Sequence, residues 1–144
     1  MVATTQRAQM RAGCKAVLDA VKAAHPTLLV HTYAYKPPTF RTPLGYVASG
    51  IDEPTIAHDA QTRRVEIIAE VHLTSKLVSN EQTANEQDVL VDLVRDEFTN
   101  TPRAASTASV IEPVNVSNHE EEDGEAFYPC SVISIRGNFP VGVR

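Results

Sequence analysis

Tryptophan is absent from this sequence, and tyrosine and phenylalanine contribute four residues each. Its core therefore has to be filled by Val, Ile, Leu and Ala rather than by large rings. Long apolar runs are missing as well. No stretch approaches the ~18 residues that a membrane-spanning helix needs, and Met1–Arg11 lacks the apolar centre of a signal peptide. The expectation is a protein made and kept in a reducing cytoplasm. Positive charge is in deficit, with 13 basic against 18 acidic residues and a net charge of -5. A surface meant to hold nucleic acid needs clustered cations to neutralise phosphates, so generic nucleic-acid binding is disfavoured. An acidic surface past which DNA slides is still allowed. Cysteine is scarce: Cys14 and Cys130 read as buried thiols packing like small hydrophobes, and nothing in the sequence requires a disulfide. The six glycines never fall into a phosphate-binding loop, and no Gly-x-Ser-x-Gly turn is present.

What is present is the material of one domain. The 144 residues are 42% apolar and 22% charged, the balance of a chain that buries a core. Its organising stretch is Arg63 to Phe98. Val65, Ile67, Ala69, Val71 and Leu73 alternate with Glu66, Glu70, His72 and Thr74, with Ile68 the one apolar intruder on the polar side. That period of two predicts a long strand. Val89, Leu90, Leu93, Val94 and Phe98 then recur at helical spacing, and the strand's apolar side is expected to pack on Leu90, Leu93 and Val94. Ser79 and Gln82 fit a capping box at the helix start, Asn85 offers a later start, and Thr101-Pro102 ends it.

Around this unit, Thr4–Ala24 predicts a helix with Met10, Cys14, Val17, Leu18 and Val21 as its apolar stripe, stopped by His25-Pro26. Thr27–Tyr35 predicts a strand, with Leu28, Val30, Thr32 and Ala34 on one side and Leu29, His31, Tyr33 and Tyr35 on the other. Its amphipathic rings suit a subunit contact. Lys36–Pro43 carries three prolines and predicts a stiff basic loop. A short strand follows over Gly45–Ile51, carried by Tyr46-Val-Ala-Ser. Asp52–Thr62 reads as a loop around an extended Thr55–His58, and Arg103–Ala108 as a linker. Ser109–Val116 and Ala126–Arg136 predict an antiparallel hairpin turned at Asp123-Gly124, with Asn118–Glu125 as a mobile acidic tip. The expected fold is α+β: a single domain over residues 1–144, with a mostly antiparallel sheet of four to five strands and two helices packed on it. Loops 36–43 and 118–125 project from it.

Catalytic chemistry is hard to find. Glu66, Glu70 and His72 share one strand face, with Glu70 and His72 about 7 Å apart at ~3.4 Å per residue. With Lys76 nearby they could suggest a metal-dependent nuclease. Such strand-borne sites usually place an acid or amide two residues before a lysine, whereas positions 72 and 74 are His and Thr. Asp52, Glu53, His58 and Asp59 follow no ligand spacing, and the other histidines are unpaired in sequence. The expectation is a non-enzyme, with no catalytic, cofactor-binding or metal residues.

The order of elements resembles the tail terminator proteins of long-tailed bacteriophages, also called head-to-tail joining or tail-completion proteins. The likeness rests on the first helix ending at His25-Pro26, the strand Arg63–Ser75 with Val65-Glu-Ile-Ile-Ala, the helix Asp88-Val-Leu-Val-Asp-Leu-Val, and the closing Val132-Ile-Ser-Ile-Arg136. It implies a virion neck protein assembled in the host cytoplasm: a ring, commonly a homohexamer, that caps the tail tube and ends its polymerisation. The ring's partners are the tail tube protein and the head-closure (stopper) protein, and DNA passes through its lumen. The stopper itself is the nearest alternative, and a cytoplasmic adaptor or small-ligand domain is the alternative outside phage. Contact residues are expected at Tyr33, Tyr35, Lys36, Pro37, Pro38, Phe40 and Arg41. Glu120, Glu121, Glu122 and Asp123 are expected to line the lumen or the hairpin tip.

Overall fold

The computed structural model describes residues 6–39, 41–49, 55–58, 63–77, 80–101, 110–123 and 126–140. Among the described residues two helices, α1 (Gln6–Ala24) and α2 (Asn80–Asn100), accompany six strands: β1 (His31–Tyr33), β2 (Leu44–Ser49), β3 (Thr55–His58), β4 (Arg63–Thr74), β5 (Val110–Asp123) and β6 (Ala126–Pro140). Strand order is β1-β2-β4-β6-β5, with β3 pairing β4 off this path. All pairings are antiparallel except β1 with β2. The α+β class is as expected, and the sixth strand is the short β3.

α1 forms where its stripe predicts. Met10, Cys14, Val17, Leu18 and Val21 are all buried against the sheet. Burial pushes the Cys14 thiol up to about 12 against the pull of the Arg11 charge, so this cysteine is inert packing. The His25 amide still donates to Val21 O, and the Leu28 and Leu29 amides both donate to His25 O. That extra turn shortens the predicted nine-residue strand to His31–Tyr33 and takes Leu28–Val30 out of the alternation. Leu29, expected on the far side, joins the core beside α1, while Val30 is exposed. Thr32 does face α1, donating to Asp19 Oδ1 at 2.6 Å.

Asp19 also accepts from Lys15 Nζ at 2.8 Å. Partial burial raises its carboxyl, but the Lys15 and Thr32 hydrogen bonds and the Lys15 and Lys22 charges outweigh that and hold it below its ordinary value. A folded-state value below the unfolded one adds stability at neutral pH that is lost as pH falls through the folded value. Asp19→Asn is therefore expected to lower the urea midpoint at pH 7 by an amount worth under ~1 kcal/mol, since the pair is well exposed. The difference should disappear in melts run below the carboxylate range.

β4 is the central strand. Ile67, Ala69, Val71 and Leu73 are buried on the helix side with Leu90 and Val94 of α2, and Leu93 packs at the margin. The buried stripe of α2 is rotated from the expected one. Thr83, Gln87, Leu90, Val91, Val94 and Phe98 turn inward, and Val89 is 47% exposed. Its start corresponds to the predicted cap, although Ser79 itself lies outside the described residues. Gly45 of β2 lets α1 approach closely. A Cβ there would stand 3.0 Å from Leu73 Cδ2 and 3.2 Å from Leu18 Cδ2.

The largest departure is the C-terminal hairpin. Asn118–Asp123 is not a loop: β5 pairs β6 continuously to Asp123↔Ala126, with one register shift between Pro113 and Asn115. Four consecutive acids have weak strand propensity, but a ladder already running from Val110 carries them along, because cross-strand bonding overrides local preference. The proposed projection at 118–125 is thus a two-stranded ribbon whose turn lies outside the described residues.

Candidate functional site

Both helices pack on one face of the sheet, and a cluster of polar rings and a thiol lies on the other. Cross-strand partners share a face, and the register lines up Tyr46 of β2, His72 of β4, Cys130 of β6 and His119 of β5 there. Tyr46 is 1% exposed, Cys130 1% and His72 9%, whereas His119 is open to solvent. The His72 ring stacks on Tyr46, with centroids 4.7 Å apart, and meets His119 edge-on at 6.0 Å. Its Nε2 lies 3.2 Å from Glu70 Oε1. Its Nδ1 lies 3.2 Å from the Tyr46 hydroxyl and 3.7 Å from Cys130 Sγ. One donor atom from each of His72, His119 and Cys130 falls within 4.8 Å of the others.

The strand alternation puts Glu66, Glu70 and His72 on one face. The structure keeps Glu70 and His72 together and moves Glu66 away, toward Arg136 and its partner Glu112. His72 is not an outer-face residue open to water but a packed one. His119 and Cys130 had no sequence signal, because their proximity to His72 comes from pairing across three strands. Both cysteines are free thiols; Cys14 sits in the helix-side core and Cys130 on the opposite face, which leaves no pair to form.

The expected contact residues are dispersed. Tyr33 is half-buried on Leu44 and Tyr46, while Tyr35, expected on the same side, lies under the Arg11 guanidinium 4.4 Å from its ring centroid. The strand ends between them, so alternation no longer holds. Arg11 also donates to Ala34 O at 2.9 Å. In the proline loop Pro37 is buried and Lys36, Pro38 and Arg41 are exposed; Phe40 lies outside the described residues. Among the predicted acidic residues, Glu120 and Glu122 are exposed, and the side chains of Glu121 and Asp123 lie outside the described residues. Of the set Asp52, Glu53, His58 and Asp59, the first two and the last lie outside the described residues, as does the side chain of His58.

A second feature is the ribbon itself. β4 stops pairing with β6 at Leu73↔Ser131, while β5 and β6 continue to Asp123↔Ala126. The excess forms an arm bearing Phe127, 62% exposed. Between the arm and the start of α2 runs an open groove of ≈ 560 Å³ lined by Leu77, Ala84, Gln87, Asn118 and Phe127, among others. Among the described residues, no helix is long and apolar enough to cross a membrane.

No family model and no curated protein matches the chain. Among 29 solved chains that match, one is 19% identical and covers 99% of each chain at a TM-score of 0.43, a likeness that carries no argument about function.

Proposed function

We propose that this chain is a structural ring subunit of a long-tailed phage neck, acting as a tail terminator. In this reading it caps the tail tube, ends its growth, presents a surface to the head-closure protein and lets DNA pass. The observation that carries the reading is the arm. An isolated two-stranded ribbon is marginally stable in water, and this one holds a large apolar ring out to solvent beside an open groove. An exposed apolar ring on the wall of an open groove is a surface for a neighbouring subunit to cover, and head-to-tail contacts close into rings when the rotation allows.

The acidic residues fit the same role. β5 is a sheet edge, its only described strand neighbour being β6. Charge on an edge discourages indiscriminate strand pairing, and exposed Glu120 and Glu122 would not retain DNA passing nearby.

Mixing the protein with polymerising tail tube protein should yield short, capped tubes, with a ring-sized species by light scattering. Phe127→Asp should remain folded, since the ring is mostly exposed, yet lose both. A strictly monomeric protein that leaves tube growth unchanged would overturn the proposal.

A further inference from the structure

The cluster on the helix-free face has a second meaning, independent of the phage reading. We propose that His72, His119 and Cys130 form a structural zinc site that staples the arm to the body of the sheet. Imidazole and thiolate are the donors that borderline-soft cations such as zinc select, and carboxylate-preferring magnesium or calcium are disfavoured.

The geometry is close to ready. With Zn–N of ~2.0 Å and Zn–S of ~2.3 Å, two ligands of a tetrahedral site stand about 3.5 Å apart. The separation of His72 Nδ1 and Cys130 Sγ is 3.7 Å, and His119 brings the third donor within 4.8 Å. The Tyr46 hydroxyl, 3.2 Å from the same Nδ1, stands near enough to be the fourth. Glu70 completes the arrangement from the other side. Accepting from Nε2–H, it fixes the tautomer that aims the Nδ1 lone pair at the cluster, the usual carboxylate–histidine–metal relation. On binding, the Cys130 thiol gives its proton to solvent and the thiolate takes the metal, while the Tyr46 hydroxyl gives up its hydrogen bond to Nδ1 and releases its proton to solvent as it ligates. Exposed His119 supplies the way in.

The location explains what the metal would do. His119 pairs with Cys130, and the next β4–β6 rungs are Leu73↔Ser131 and His72↔Val132, where β4 support for the arm ends. A cation there joins β4, β5 and β6 at the arm's root and sets its direction.

Untagged full-length protein should bind one zinc per chain in competition with a chromophoric chelator, and cobalt in its place should give a thiolate-to-cobalt charge-transfer band. His119→Ala, at an exposed position, should keep the fold by circular dichroism and weaken zinc binding at least tenfold. Cys130→Ser should remove the charge-transfer band, and Cys14→Ser should leave band and affinity unchanged. Glu70→Gln, a positioning change, should weaken binding about 10- to 100-fold while the band persists. Zinc binding that is substoichiometric, a cobalt spectrum without the thiolate band, or a folded His119→Ala with unchanged affinity would each overturn the site. None of these readouts depends on tube capping, so the two proposals fail separately.

Discussion

Replacing Gln87 by leucine should lower the stability of this domain by about 3 kcal/mol, although leucine is apolar and of similar size. Gln87 lies in the buried stripe of α2, 6% exposed. Its Oε1 accepts from the Ser75 amide at 2.7 Å. Its Nε2 donates to Leu73 O at 2.7 Å and to Ser131 Oγ at 2.9 Å. Ser131 passes the connection on, donating to Asn118 Oδ1 at 2.6 Å. One side chain thus ties α2 to the end of β4, to β6 and through it to β5. Leucine would leave a backbone N–H and a backbone C=O without their partner in a site where Ser75 is 2% exposed. A buried polar group left unmatched costs ~1–3 kcal/mol, more than its bond contributed. Urea melts compare the variant with wild type. A loss within the scatter of surface substitutions, about 0.5 kcal/mol, would mean that solvent reaches this seam and takes over the bonds.

Phe98→Ala is expected to cost more, about 3–5 kcal/mol, by the combined loss of buried area and the cavity left behind. Phe98 is fully buried in the last turn of α2. That end has no glycine stop; its closing bond is the Thr101 amide donating to Glu97 O. Side-chain packing rather than a backbone cap therefore holds the C-terminal half of the helix on the sheet. Phe98→Leu should lose much less. The denaturant midpoint should fall for Phe98→Ala with the slope unchanged. An intact midpoint would show that the C-terminal turn of α2 is not fastened by this ring.

Elements with strong periodicity were legible from residues alone. The stripe of α1, the alternation of β4 and its packing on Leu90, Leu93 and Val94 follow from spacing, because each repeats over several turns or pleats. The misreadings arise where a distant partner decides. Nothing within Thr27–Tyr35 announces that Leu28 and Leu29 amides will bond back to His25 and take Leu28–Val30 out of the strand. Nothing within Asn118–Asp123 announces that β6 will hold acids in a ladder. Val89 and Val91 are equally apolar, and only the rotation set by Gln87 and Phe98 turns one out and the other in. The histidine–cysteine cluster was illegible for the same reason: residues 72, 119 and 130 become neighbours only through cross-strand register.

The strand order also constrains how the chain reaches this state during synthesis. β4 lies at the sheet's centre, and its long partner is β6, the last element described: Val71 pairs with Ile133. Until β6 has left the ribosome, β4 has one side unpaired, and the apolar face under α2 is incomplete. Contacts of such long sequence separation form late and slowly. The nascent chain therefore waits with an open central edge, and the β5–β6 hairpin, whose contacts are local, is positioned to form first and close the sheet by docking as a unit.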